Sequence, residues 1–131
     1  FTLGRARVTF IGPARTQHTD SRDDGLTLRI DYGQTSVVVT GCITSNGEKE
    51  IVSSGAAAAC DALIVSRGGT EAATCAEWVE AAKPKVALIT GKNPANSVRI
   101  RLQKYGATVY AAKENGVMTL FSDGQKITVE P

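Results

Sequence analysis

Catalysis in a small domain depends on side chains that exchange protons, hold metal ions or attack as nucleophiles, and this chain has few of them. His18 is the one histidine in 131 residues. It lies in the polar run 16–25 (TQHTDSRDDG), and no G-x-S-x-G elbow occurs anywhere to give it a nucleophile to activate. A solvated loop imidazole without a catalytic role is therefore expected. The cysteines Cys42, Cys60 and Cys75 are odd in number and lack a C-x-x-C pair, so neither a zinc knuckle nor a disulfide framework is expected. Small, buried, unreactive thiols are the plain reading of all three. A catalytic zinc needs about three protein ligands plus an open water position, and a two-metal site needs more. One imidazole does not supply that, so the chain alone is expected to be no enzyme and to bind no cofactor. Neither G-x-G-x-x-G nor a Walker sequence occurs, which leaves nucleotide binding without support.

The basic residues offer a different chemistry. Arg67 followed by Gly68 and Gly69 is a combination in which a guanidinium and two unhindered backbone N–H groups can cradle a phosphate. The competing reading is that the two glycines only turn the chain and Arg67 is solvated. Lys92, Arg99, Arg101 and Lys104 form a second basic group around one helical stretch. Arg99 and Arg101 lie about 200° apart on a helix and so do not share a face, which favours a solvated helix surface. DNA bound here would be held weakly, through phosphates, with strong salt dependence.

The elements that must position these residues can be read from composition and periodicity. Apolar residues make up 42% and charged residues 21%, which suits one globular domain over 1–131. Aromatics are only 5%, so the core must be aliphatic, as in a layered α/β protein, and a base-stacking surface is disfavoured. The net charge of +2 is far from that of a dedicated DNA-binding module. No apolar run approaches the roughly 20 residues that cross a bilayer, and no basic-then-apolar leader opens the chain. A start at Phe1, directly before a strand-like run, suggests a fragment or processed product.

Residues 7–11 alternate weakly before Gly12-Pro13 and predict a strand, and 26–32 and 35–40 around Gly33-Gln34 predict a hairpin. Ser45 and Glu48 have capping-box spacing, so a short helix is expected up to Gly55. The apolar runs 62–65 and 86–89 predict strands buried on both faces. Thr74 and Glu77 form a second box, stapled by Ala73 and Trp78, for a helix that Lys83-Pro84 stops. Asn93 and Pro94 are expected as N-cap and first residue of a helix on which Ala95, Val98, Leu102 and Tyr105 repeat, although Val98, Ile100 and Leu102 also alternate like a strand. A strand over 108–111 and a closing hairpin around Asp123-Gly124 complete a mixed sheet with helices packed on it.

In order and spacing, 26–124 resembles the C-terminal half of the metallo-β-lactamase-like domain at the end of ComEC-type DNA-internalisation competence proteins. That family reads as a strand pair ending T-G-D, a helix, a strand leading to H-H-G-S, a helix ending K-P-K, a strand, a G-H-P loop, a helix, and an E-N-G and D-G hairpin. The counterparts here are Thr40-Gly41-Cys42, Arg67-Gly68-Gly69-Thr70 after 61–65, Lys83-Pro84-Lys85, Gly91-Lys92-Asn93, Lys104-Tyr105-Gly106, Glu114-Asn115-Gly116 and Ser122-Asp123-Gly124. The match covers about three quarters of the chain.

The resemblance implies half of an αββα sandwich, a role in DNA uptake, and residence outside the cytoplasmic membrane as part of a larger membrane protein. It also implies lost metal ligands. The family's bridging Asp falls on Cys42, its His pair on Arg67 and Gly68, and its later loop reads Asn93-Pro94-Ala95-Asn96. The H-x-H-x-D-H cluster of the first half lies outside this sequence. Cys42 is thus a residual zinc ligand or a small strand-end side chain, and zinc is expected only if a full domain is present. The expected function is a non-catalytic structural or weakly DNA-contacting module. The alternative is half of a metal-dependent, nuclease-like hydrolase completed by an upstream segment. Partners implied are DNA, the parent protein or missing half-domain, and a second copy through an uncovered sheet face.

Overall fold

The alternating run 26–32 and the apolar runs 62–65 and 86–89 become strands of one sheet. A computed structural model describes residues 1–131, with β1 at Thr2–Leu3, β2 at Ala6–Gly12, β3 at Thr27–Tyr32, β4 at Thr35–Val39, β5 at Ala62–Ile64, β6 at Val86–Ile89 and β7 at Thr108–Ala111. These seven lie side by side in chain order. β1 to β4 pair antiparallel, and β4 to β7 pair parallel, so the sheet is mixed as expected. The closing hairpin, β8 at Thr119–Ser122 and β9 at Ile127–Glu130, forms a separate two-stranded sheet. Asp123 holds its turn by accepting from the backbone N–H groups of Gln125 and Lys126, each at 2.8 Å.

Parallel neighbours require crossovers, and helices α1 (Ser45–Ser53), α2 (Ala76–Ala82) and α3 (Asn96–Lys104) supply them. Right-handed crossovers that always advance in one direction put every helix on the same face. The core agrees: Ile51, Trp78, Val79, Val98 and Leu102 of the helices share one cluster with Val38, Leu63, Ala87 and Ile89 of the strands. On α3, Val98 and Leu102 are buried while Ile100 is exposed, which resolves that stretch as a helix.

The opposite face carries a second apolar set. The register aligns Leu28, Val39, Ile64, Leu88 and Tyr110 in one row across five strands. No long helix covers this row. A one-turn helix α4 (Ala112–Asn115) and the β8–β9 hairpin border it, so that Met118 and Leu120 share a groove with Ile64 and Leu88.

The expected caps are where local sequence misleads. α1 is capped by Thr44, whose Oγ1 accepts from Asn46 N at 3.3 Å, and Ser45 lies inside the helix. Glu48 does not turn back to Ser45. Its buried carboxylate accepts from Thr74 N at 2.7 Å and Cys75 N at 2.9 Å, satisfying the start of α2 from a neighbouring helix. With that done, the second box does not form. Cys75 is the N-cap without a side-chain bond, and Thr74 is left-handed at φ 59°. Likewise α3 begins at Asn96 with Ala95 as its cap, because Ala95 N donates to Gly69 O at 2.8 Å and ties the preceding loop to the β5–α2 turn.

Candidate functional site

Parallel strands present their carboxyl ends at one edge, where α/β sheets hold ligands in the loops that follow. Here those loops are 40–44 after β4, 65–75 after β5 and 90–95 after β6. β3 runs antiparallel to β4 and starts at the same edge, with Leu28 opposite Val39, so the long connection 13–26 folds over it as a strap. Asp23 anchors the strap: it is buried and accepts from Thr44 N at 2.7 Å and from Thr44 Oγ1 at 2.9 Å. Gly47 is required beside it, since a Cβ there would stand 2.6 Å from Asp23 Oδ1.

Four of the residues singled out by sequence, Cys42, Arg67, Gly68 and Lys92, lie in the loops at this edge. Arg67 N donates to Gly41 O at 2.9 Å, next to Cys42, whose thiol is exposed. Gly68 packs backbone to backbone on Gly91, and a Cβ on Gly91 would overlap the Gly68 carbonyl. Lys92 follows directly. Arg67 itself is held in the left-handed region at φ 50°, a conformation that costs a non-glycine residue of order 1 kcal/mol. Its guanidinium makes no hydrogen bond within the chain, and its Nη1 is buried without a partner. The solvated-arginine reading therefore does not describe that nitrogen.

Arg99 and Arg101 do not join this group. Arg99 pairs with Glu114 at 2.6 Å, and Arg101 Nη1 donates to Thr74 O at 2.6 Å, so each is drawn into the fold in its own direction. The cysteines separate too. Cys60 is buried and Cys75 half-buried, and burial pushes both thiols up to about 12, which leaves Cys42 as the accessible one.

His18 is the clearest correction. Its side chain is only 3% exposed, not solvated. Nδ1 lies 2.7 Å from Asp24 Oδ1 and Nε2 lies 2.6 Å from Glu50 Oε2, so the ring bridges the strap to α1. Arg15 completes the group through Glu50 Oε1 at 2.7 Å. Both partners of the ring are carboxylates, foremost Asp24, and they hold its proton above the ordinary value against the opposing effect of burial. The two carboxylates sit on opposite sides of the ring and cannot share an ion with it, and no three His, Cys, Asp or Glu residues converge anywhere as a metal site. Asp20, chelated by Arg22 and influenced more distantly by Arg67, falls to about 2. Nothing local in the sequence signals these ties, since Glu50 is 32 residues from His18.

No family model matches the chain. It is similar to the ComE operon protein 3 of Bacillus subtilis (strain 168), 26% identical over 114 residues, which make up 82% of this chain and 15% of that protein. The chain thus spans under one sixth of the length of the relative it matches.

Proposed function

We propose that this chain is a non-catalytic, metallo-β-lactamase-like module of a competence or DNA-uptake protein, and that its sheet edge meets DNA phosphate where relatives hold metal. The similarity to a ComE operon protein supports the link with competence and DNA uptake. The observation that carries the rest is Arg67, half-buried at a strand end that the resemblance assigns to a metal-binding histidine, with a guanidinium that makes no hydrogen bond within the chain. A fixed guanidinium repels a dication and suits an oxyanion. Cys42 carries the one exposed thiol at this edge, and no group of three His, Cys, Asp or Glu residues converges there. The residues present therefore do not fit a zinc pair.

The apolar row on the face away from the helices supports the half-sandwich part of the reading: Leu88 is buried there beside Met118 and Leu120, while Leu28, Val39, Ile64 and Tyr110 are only half-buried. In an αββα sandwich that face buries a second sheet, and these four are the residues whose remaining surface such a partner would cover. The missing half-domain of the parent protein is the proposed occupant, with a second copy as the substitute when that half is absent. By the same resemblance the parent lies in the cytoplasmic membrane with this module outside it. No helix of the chain itself is long and apolar enough to cross a membrane.

Metal analysis of the full-length parent protein tests the proposal. Zinc well below one per chain, unchanged by Cys42→Ser, is expected. One zinc per chain, lost on Cys42→Ser, would favour a hydrolase completed by an upstream segment.

A further inference from the structure

The strap over the sheet edge has two fastenings of different chemistry. Asp23 holds its second half on Thr44 through hydrogen bonds to a backbone N–H and a hydroxyl, neither of which titrates near neutrality. The first half is held by His18, with Arg15 beside it, on Glu50. We propose that His18 is a proton-operated clasp, which fastens residues 14–21 to α1 while both ring nitrogens carry protons and releases them when one proton leaves.

The geometry requires the doubly protonated ring. An ionised carboxylate only accepts, so two carboxylate oxygens within 2.7 Å of the two ring nitrogens need two N–H donors. Removing one proton sets a nitrogen lone pair against a carboxylate, which turns one of the two bonds repulsive. The groups facing the ring are Arg15, Asp20 and Asp23 from the strap and Lys49 and Glu50 from α1, which line one cleft without an apolar residue, and Asp24, which bonds the ring at Nδ1. Asp20 is engaged by Arg22 and Asp23 by Thr44, which leaves Asp24 and Glu50 to hold the imidazolium.

The sign follows from the direction in which the carboxylates move the ring. The folded chain binds the His18 proton more tightly than the unfolded chain does. The clasp's contribution is therefore fully present below the ordinary histidine value of 6.5 and is lost as pH rises through the higher folded value. The clasp stands or falls independently of whether the sheet edge binds DNA.

His18 is the one histidine, so its ring proton resonances are unambiguous in an NMR titration. The expected result is a midpoint above 6.5, with fast backbone motion of residues 14–21, read from 15N heteronuclear NOE values, rising through that midpoint. In His18→Gln that motion should be high and flat with pH. If that variant does not fold, Glu50→Gln should move the ring midpoint and the onset of strap motion down together. A ring midpoint at or below 6.5, strap motion unchanged across it, or a Glu50→Gln midpoint equal to the wild type would each overturn the clasp.

Discussion

Glu48 and Thr74 are joined by a 2.7 Å hydrogen bond from the Thr74 backbone N–H to the Glu48 carboxylate, inside the core and between two helices. The same carboxylate takes the Cys75 N–H at 2.9 Å. Glu48→Ala leaves a buried Thr74 amide and a half-buried Cys75 amide without a partner, at about 1–3 kcal/mol each. Urea unfolding should therefore show a loss of about 2–6 kcal/mol. Loss within 0.5 kcal/mol would mean that the two amides find another acceptor.

Glu48 also gives a pH signature. Burial pushes its carboxyl up, against the pull of the Cys75 and Thr74 amides. The native state thus holds this proton more tightly than the unfolded chain, whose carboxyl ionises near 4.5. That contribution is present below 4.5 and is lost as pH rises through the higher folded value, the reverse of an ordinary ion-paired carboxylate. The stability difference between wild type and Glu48→Gln should move in the variant's favour between pH 4 and pH 7. A difference constant with pH would contradict the raised carboxyl.

Gly91→Ala tests the contact between the β5 and β6 loops. The added Cβ overlaps the Gly68 carbonyl, which is backbone and cannot swing aside. A cost of about 1–3 kcal/mol in thermal or urea unfolding is expected. A neutral substitution would show that the two loops do not pack as described.

Thiol labelling should distinguish the cysteines. Cys42 is exposed, whereas Cys60 and Cys75 are shielded, with thiols near 12. A disulfide reagent at pH 8 should titrate one thiol quickly in the native chain and three after unfolding, and Cys42→Ser should abolish the fast one. Rapid labelling of Cys75 in the native state would contradict the packing of the α2 start.

Much of the frame was legible because period and composition act locally. The alternation of 26–32, the apolar runs 62–65 and 86–89, and the Asp123-Gly124 turn each point to an element from neighbours in sequence. The caps were not legible, because the partner of a helix start need not be near in the chain: Glu48 serves Thr74, and Asp23 serves Thr44. The burial of His18 is not legible for the same reason, since the ring is held between Asp24 and, on another element, Glu50. Arg67 is conspicuous in sequence beside Gly68 and Gly69, but its left-handed backbone and unpaired nitrogen show only in the tertiary structure, where Gly68 packs on Gly91.

Fluorescence anisotropy of a labelled DNA duplex, titrated with the chain over a series of salt concentrations, tests the proposed phosphate contact at Arg67 most directly. Weak binding is expected, falling steeply with salt, with Arg67→Ala weakening it about tenfold and flattening the salt slope by about one charge. Arg99→Ala should change it little, because that guanidinium is already paired with Glu114. Binding that is absent at low salt, or identical in wild type and Arg67→Ala, would contradict the account.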